Sequence, residues 1–298
     1  MINKSIIIGA LARDCEQSLI NNIPLIENLR SYFRYSSVVI VENDSIDDTK
    51  KILSSWQKKS HQVYINSFNE NSISSQDLTL KGKQRISKMV RYRNLLIEKI
   101  RELELSDYIM LIDIDIISFS VEGILKALLN APSDFGGLFS NGRLKVIYRN
   151  KENYVDLQYD SYAFLSSDEE MNELKTKDFS ILSQLKRSQL MQKGIDNNLF
   201  FPCKSAFGGI GIYKSNLISD IAYELSYISN NSSLCFCEHI PFNNSIINKG
   251  YKNYISKQIE VVYQKNQINR IKGTLLILFP FTYNYLNLLK HKLINIVK

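Results

Sequence analysis

The sequence predicts an α/β protein built on a doubly wound, mainly parallel β-sheet flanked by helices. Two observations lead to this fold class. Short apolar runs of strand length alternate with longer segments whose apolar residues recur at helical spacing, in the order β-α-β-α-β. The chain also has 298 residues, of which 44% are hydrophobic and 22% charged. That is enough to bury the core of one large domain, or of one domain with an appendage.

The first elements follow one another as alternating strands and helices. Residues 5–10 form an apolar strand, and a helical pattern follows over 19–29. Residues 38–41 and 63–65 are two further strands, separated by a helix over 49–56 whose start is marked by acidic residues. Strands joined by helices in this way run parallel, because a parallel pair needs a crossover connection.

The later elements are organised around a central strand. A polar, Ser/Asn-rich segment over 68–83 predicts a loop, and a long helix over 84–105 then leads into an apolar strand over 108–113. The remaining predicted elements are a helix over 121–129, strands over 136–139 and 144–148, and a charged helical segment over 168–193.

The charge balance favours an anionic partner. The net charge is +7 and the isoelectric point is about 9.0, which suits a nucleotide diphosphate, an anionic membrane or a nucleic acid. No dense Lys/Arg run with interleaved aromatic residues is present in the sequence, so we predict no nucleic-acid partner.

The four cysteines do not predict a disulfide framework. Cys15, Cys203, Cys235 and Cys237 are few for a chain of this length and favour a reducing compartment. The segment from Cys235 through Cys237 to His239 lacks the spacing and the second ligand pair of a structural zinc site. The first apolar run begins close to Met1 and leaves no room for a signal peptide, so we expect a cytoplasmic location.

Two carboxylates end the central strand. Asp113 and Asp115 are spaced i, i+2, and in a parallel sheet ligands collect at the carboxyl ends of the strands. Both side chains can therefore reach one hard divalent cation, either directly or through water, and that cation would face a diphosphate. The alternative is that these acids only start a turn or cap a helix.

A glycine-rich segment follows in the second half of the chain. Gly208, Gly209 and Gly211 predict a place where the backbone passes close to a ligand or to another strand. Their spacing does not match the dinucleotide-binding fingerprint.

The last segment, 265–298, is a basic amphipathic tail. Its apolar run over 275–281 is too short to span a bilayer. The helical spacing of apolar residues beyond it, beside several lysines, predicts either an interfacial helix on an anionic membrane or a helix packed on protein. The first alternative would place the protein peripherally on the inner face of the cell membrane.

The order of several motifs resembles the nucleotide-sugar half of a GT-A glycosyltransferase. These motifs are Ala10-x-Ala12-Arg13, the acidic segment from Glu42 to Thr49, Arg93-Asn94 and Asp113-Ile114-Asp115. The segments 159–163 and 237–239 resemble, more weakly, the capsule-associated alpha-mannosyltransferase family and related bacterial capsule or lipopolysaccharide transferases. The resemblance implies a GT-A domain over 1–264, with a nucleotide-sugar half (1–119) and an acceptor half (120–264).

The resemblance also implies roles in donor binding. The residues it places at the nucleotide-sugar are Ala10, Arg13, Glu42, Arg93, Asn94 and Ile114. Arg13 would contact the base or the diphosphate, and Glu42 a ribose hydroxyl or a base N–H. The alternatives are a surface arginine at Arg13, a turn or cap acid at Glu42, and a solvated helix face at Arg93. Asp113 and Asp115 would hold Mn2+ or Mg2+ against the diphosphate.

On the acceptor side, Asp160 lies between Tyr159 and Tyr162 and is suited to bind sugar hydroxyls. Glu238 is the predicted general base if the reaction inverts the anomeric centre, and His239 is a candidate third metal ligand. Both residues have an alternative as a structural pair. The stereochemical outcome stays open.

Together these features predict a metal-dependent transferase that moves a hexose from a UDP- or GDP-sugar to a surface glycan. The acceptor would be an oligosaccharide or a lipid-linked glycan of a capsule or lipopolysaccharide. Two rival functions remain, a sugar nucleotidyltransferase and a non-catalytic scaffold for glycan assembly. The first strand is followed by too few glycines for the phosphate loop of a nucleotidyltransferase.

Overall fold

The structure is a computed structural model that describes residues 2–70, 83–148, 151–176, 181–227 and 235–265. The predicted tail beyond residue 265 and most of the predicted loop over 68–83 lie outside the described residues. Within the described ranges, no helix is long and apolar enough to cross a membrane. All four cysteines belong to the described part of the chain, and none of them forms a disulfide.

The first half is the predicted parallel β-α-β unit. Its elements are β1 (Ile2–Ala12), α1 (Glu16–Arg30), β2 (Phe33–Asn43), α2 (Thr49–Lys59), β3 (Val63–Phe68), α3 (Lys83–Arg101) and β4 (Tyr108–Asp113). The four strands lie in the order β3-β2-β1-β4 and all run parallel. The predicted α/β fold class is therefore confirmed, and the acids at the end of β4 lie beside the ends of β1 and β2.

The second half extends the same sheet with mixed strands. Its elements are β5 (Ser118–Phe119), α4 (Val121–Asn130), β6 (Phe135–Tyr148), β7 (Lys151–Gln158), α5 (Asp168–Thr176), α6 (Ile181–Asn197), β8 (Phe200–Cys203), β9 (Ile210–Lys214), α7 (Ser215–Ile218), α8 (His239–Asn248) and β10 (Lys252–Lys265). Beyond β4 the order continues β9-β6-β10-β5, while β7 pairs with β6 and β8 with β10. β9 runs antiparallel to β4 and β6, and β10 runs parallel to β6.

Three predicted elements of this half need correction. The strands over 136–139 and 144–148 are one long strand, β6, and the helical segment over 168–193 contains two helices, α5 and α6. Strand β10 was not predicted, because its apolar residues alternate with polar ones over only part of its length. It becomes a strand through its long ladder with β6.

Two apolar layers cover the sheet. Alternate residues of β1 point to opposite faces, so that Ile6 and Ile8 pack in one layer and Ile7 in the other. The first layer holds α1, α2 and α4, with Trp56 among its members, and the second holds α3 and α8. Because both faces of the sheet are buried, its open edge at the strand ends is where a ligand can reach the backbone.

The glycine-rich segment does bring two backbones together, as predicted, and the neighbour is another strand. Gly208 and Gly209 have φ values of +64° and +99°, in the region that side chains disfavour. A Cβ on Gly208 would lie 2.6 Å from the carbonyl oxygen of Ser140 in β6, and a Cβ on Gly209 would lie 2.2 Å from the hydroxyl of Tyr263 in β10. Glycine at these positions therefore lets β9, β6 and β10 converge beside Asp113.

Candidate active site

Two loops close over the carboxyl ends of β1 and β2. The backbone N–H of Asp14 donates to the hydroxyl of Ser45 at 3.1 Å, and the backbone N–H of Ile46 donates to Oδ1 of Asp14 at 2.8 Å. Asp14 has a φ of +46°, which this reciprocal pair holds in place. Arg13 lies at this junction, partly exposed, with Nε 3.7 Å from the carboxylate of Asp14.

Three of the residues predicted to bind the donor are buried: Ala10, Glu42 and Ile114. The side chains of Ala10 and Ile114 are 1% exposed and pack in the core, so neither offers its side chain to a ligand. Glu42 is fully buried, and its two oxygens accept hydrogen bonds from the backbone N–H of Ser45, at 2.9 Å, and from the hydroxyl of Ser67. Each oxygen of Glu42 thus accepts one hydrogen bond within the fold, which favours the alternative of a turn acid. The predicted donor contact of Glu42 stays a prediction.

The two aspartates lie at the end of β4. Asp113 is the last residue of the strand, and Asp115 lies two residues later in the following turn, exposed to solvent. Partial burial raises the pKa of Asp113 to about 6, with Arg93 lowering it and Asp115 raising it further. Asp115 as a whole residue is exposed, but protein atoms around its carboxyl group partly desolvate that group and raise the pKa of Asp115. A divalent cation bound between the carboxylates would relieve both effects, since it favours the ionised forms.

A buried asparagine that the sequence did not single out holds this turn. Asn22 of α1 is fully buried, and its side-chain amide donates to the carbonyl oxygens of Ile114, at 3.3 Å, and Ile116, at 2.7 Å. The carbonyl of Ile114 thus fixes the position of Asp115, although its side chain is in the core. The signal in the sequence was a polar residue on the apolar side of the helical pattern over 19–29.

The two carboxylates fit a cation that shares its coordination with a bound ligand. Carboxylate oxygens suit Mg2+ and Mn2+. Among the residues that the structure describes, no group of three or more His, Cys, Asp or Glu side chains is placed to hold a metal ion. Asp113 and Asp115 would therefore supply two ligands, and the oxygens of a diphosphate and water would complete the shell.

His239 is not assembled with the aspartates into a three-residue metal centre. Its ring is 2% exposed and stacks on Phe207 with ring centroids 4.0 Å apart, and Tyr223 packs edge-on against it. Burial, and secondarily the charge of Arg93, place the pKa of His239 well below its usual range, so the imidazole is neutral. Neither ring nitrogen has a hydrogen-bond partner in the described part of the protein.

Arg93 is the buried cation of the site. Its Nε donates to Oε1 of Glu238 at 3.0 Å, and its NH2 group lies 3.6 Å from Oδ1 of Asp113. The guanidinium also lies over the rings of Phe207 and Tyr223, at 5.2 and 5.7 Å from their centroids. Burial lowers the pKa of Arg93, but the nearby carboxylates outweigh burial and raise it, so the charge is retained. The alternative of a solvated helix face is therefore wrong for this residue.

Asn94, next to Arg93, has a structural partner. Its side-chain amide donates to the carbonyl oxygen of Tyr223 at 2.9 Å, and its oxygen accepts the backbone N–H of Tyr223 at 2.7 Å. Both polar ends of Asn94 are therefore engaged by one backbone, and the residue holds Tyr223 against Arg93. Its predicted contact with the donor stays a prediction.

Replacing Arg93 should destabilise the fold strongly. Arg93→Met leaves Glu238, which is 4% exposed, without its cation, and breaking a buried ion pair in this way costs about 3–5 kcal/mol. We expect urea unfolding to shift accordingly, and the double variant Arg93→Met/Glu238→Gln to recover part of the loss, because it leaves no charge buried. Arg91→Met, two residues earlier on the exposed side of α3, is the matched control and should change little. Equal stability of Arg93→Met and Arg91→Met would contradict the importance of the pair.

Asp160 lies close enough to Asp113 for the charge of Asp113 to raise its pKa. It has a φ of +63°, and its backbone carbonyl accepts the N–H of Ala163 at 3.2 Å. Burial raises the pKa of Asp160 to about 7, and the charges of Asp113 and Glu238 add to the rise. A carboxyl group that titrates near neutral pH beside a cation site is suited to accept a proton.

The two tyrosines that flank Asp160 differ. Tyr159 is 36% exposed, and one face of its ring stacks on Tyr263 with centroids 3.4 Å apart. Tyr162 instead donates its hydroxyl to the carbonyl oxygen of Cys235. Tyr159 is therefore the tyrosine with exposed surface beside Asp160, whereas the hydroxyl of Tyr162 is used within the protein.

Comparison with known proteins finds a likeness in structure alone. No protein-family model matches the chain, and no curated protein sequence matches it. A mannosyltransferase from Pyrobaculum calidifontis in complex with GDP-Man and Mn2+ is 10% identical, with a TM-score of 0.46, over 88% of this chain and 57% of that one. TarS 1-349 from S. aureus is 13% identical, with a TM-score of 0.45, over 87% of this chain and 60% of that one.

GalNAc-T7, solved with UDP, GalNAc and Mn2+, is 10% identical, with a TM-score of 0.47, over 92% of this chain and 48% of that one. The chain thus spans about half to three-fifths of the length of these three structures. At such identities the fold does not fix the chemistry, which depends on the chain's own site residues.

Proposed function

We propose that the protein is a metal-dependent glycosyltransferase that uses a nucleotide-sugar donor. The observation that carries this proposal is the placement of Asp160 beside the acid pair. Two contacts link these places, because Tyr159, the residue before Asp160, stacks on Tyr263 with centroids 3.4 Å apart, and the Tyr263 hydroxyl donates to Oδ2 of Asp113 at 3.1 Å. A cation-binding pair next to a carboxyl that titrates near neutral pH suits a reaction in which a diphosphate leaves and a hydroxyl attacks.

Asp113 and Asp115 would hold Mn2+ or Mg2+ against the diphosphate of the donor. The metal, when bound, supplies positive charge that stabilises the negative charge growing on the departing nucleoside diphosphate. Arg93 would help to orient Asp113, because its NH2 group lies 3.6 Å from Oδ1 of that residue. The loops at Arg13 and Ser45 lie at the neighbouring strand ends, where the nucleoside would bind.

In this proposal Asp160 would act as the general base. It would accept the proton of the acceptor hydroxyl while that oxygen bonds to the anomeric carbon and the bond to the diphosphate breaks. We place this role at Asp160 and not at Glu238, because Glu238 is buried and already paired with Arg93. A direct displacement of this kind inverts the anomeric centre, and Tyr159 would offer its ring to the acceptor sugar.

The finer substrate assignment extends this proposal. The donor would be a UDP- or GDP-hexose, and the acceptor an oligosaccharide or lipid-linked glycan of a capsule or lipopolysaccharide, as in the family that the motifs resemble. The protein would lie in the cytoplasm and would reach a lipid-linked acceptor through its basic tail on the anionic membrane surface. A scaffold of the same fold would need neither the acid pair nor Asp160.

A thermal-shift screen tests the proposal. UDP, GDP, CDP and their sugars are each added with Mn2+, and at about a hundredfold excess over Kd the cognate nucleotide should raise Tm by about 5 °C. The same nucleotide with EDTA should give little shift, because the diphosphate then meets two unshielded carboxylates. No shift with any nucleotide in the presence of Mn2+ would instead favour the scaffold.

A further inference from the structure

We infer that Tyr263 is a positioning residue that orients the metal-binding carboxylate of Asp113. The inference rests on the proposed function, because it assigns a role toward the cation of the same site. Tyr263 lies near the end of β10, 150 residues from Asp113, and its side chain is 7% exposed. Its hydroxyl donates to Oδ2 of Asp113 at 3.1 Å.

This contact completes the fixation of Asp113 from two sides. Oδ1 faces the guanidinium of Arg93 at 3.6 Å, and Oδ2 accepts the hydroxyl of Tyr263, so each oxygen has its own partner. The backbone N–H of Asp113 is held as well, by the carbonyl of Gly209. A carboxylate restrained at both oxygens presents its remaining lone pairs in one direction, which lowers the cost of organising it around a cation.

The fold makes room for the Tyr263 hydroxyl at one specific place. A Cβ on Gly209 would lie 2.2 Å from that oxygen and 2.9 Å from the ring carbon that carries it. Any residue other than glycine at position 209 would therefore displace the Tyr263 hydroxyl. The left-handed backbone of Gly209 and the hydrogen bond of Tyr263 are therefore parts of one arrangement.

The Tyr263 ring also connects the cation site to the acceptor side. It stacks on Tyr159 with an interplanar angle of 20°, and Tyr159 directly precedes Asp160. A sugar that packs on Tyr159 would thus be separated by one ring from Tyr263, whose hydroxyl donates to Asp113. Tyr263 therefore contacts Asp113 through its hydroxyl and the neighbour of Asp160 through its ring.

The test deletes a single hydroxyl and measures metal binding directly. Tyr263→Phe is titrated with Mn2+ in the presence of UDP or GDP, whichever stabilises the wild type, and free Mn2+ is followed by its electron paramagnetic resonance signal. We expect the Kd for Mn2+ to rise about tenfold, the lower end of what outer-shell substitutions cause. Circular dichroism checks that the variant is folded.

Tyr254→Phe is the matched control on the same strand. Its hydroxyl donates to Asp134 at 2.9 Å, so the same atom and the same kind of bond are removed away from the metal pair. Tyr254→Phe should leave the Kd for Mn2+ unchanged. A second variant, Tyr159→Leu, keeps the Tyr263 phenol but removes the ring it stacks on, and an intermediate rise in Kd is expected.

The outcomes separate the inference from the proposed function. If wild type binds Mn2+ with the nucleotide and Tyr263→Phe binds it equally well, the positioning role of Tyr263 is overturned while the transferase proposal stands. Equal losses in Tyr263→Phe and Tyr254→Phe also overturn it, because the effect is then general. If wild type itself binds no Mn2+ with UDP or GDP, the proposed function fails and the role of Tyr263 fails with it.

Discussion

Asp113→Asn and Asp115→Asn should each remove metal-dependent donor binding and lower kcat/KM by about a thousandfold or more. A bound metal would contribute several kcal/mol to stabilising the leaving diphosphate, and about 4 kcal/mol corresponds to that factor. Asparagine has the shape of aspartate but no charge, so the fold should be retained. The measurements are Mn2+ titration with nucleotide, and the release of nucleoside diphosphate from the sugar donor.

Asp107→Asn is the matched control for these variants. Asp107 precedes the opposite end of β4, where it bonds to Lys4 and to the backbone N–H of Ser5. Its substitution should cost some stability and leave the affinity for Mn2+ unchanged. If Asp113→Asn still turned over the donor at the wild-type rate, the metal-dependent mechanism would be wrong.

Asp160→Asn should lower kcat by about a hundredfold to ten-thousandfold and flatten the pH profile. Proton transfer by a positioned base contributes a factor of this size. In the wild type, kcat/KM should rise with pH to a plateau, with an apparent pKa at or below about 7, because Asp160 must be ionised and a bound cation at Asp113 lowers its pKa. Nucleoside diphosphate release between pH 5 and 9 measures both effects.

Asp168→Asn is the control in the same half of the chain, since its side chain is 69% exposed and pairs with Lys204 on the surface. It should keep the wild-type profile. If Asp160→Asn also keeps the acidic limb of the profile, another group is the base, and Glu238 is the next candidate.

Asp160→Asn should also change how the stability of the metal-free protein depends on pH. The folded-state pKa of Asp160, about 7, lies above the ordinary value of 3.8, so the folded protein holds this proton more tightly. Its stabilising contribution is complete below about pH 4 and is lost as the pH rises to about 7. We therefore expect the Tm difference, Asp160→Asn minus wild type, to be more positive at pH 8 than at pH 5. Both proteins are measured in EDTA.

Local sequence patterns predict the parallel half of the fold and the acid pair of the site. The alternation of apolar runs and helical patterns over residues 5–113 predicted the parallel unit, because each pattern reflects burial of one face. The acid pair was found in the same way, since β4 is an unbroken apolar run that ends in Asp113. Beyond β4 the prediction weakened, because β6 and β10 become strands mainly by pairing with each other.

Local patterns are therefore enough to predict the parallel half of the sheet and the two carboxylates that follow β4. The surroundings of these carboxylates depend on contacts between distant segments of the chain. Arg93 meets Glu238 across 145 residues and Tyr263 meets Asp113 across 150, so that neither pairing has a local signal. The environments of the acids also differ, because Glu42 accepts hydrogen bonds inside the fold, Glu238 is paired with Arg93, and burial raises the pKa of Asp160 to about 7. Desolvation and charge pairing depend on which chain segments meet, and that is fixed only when the sheet has formed.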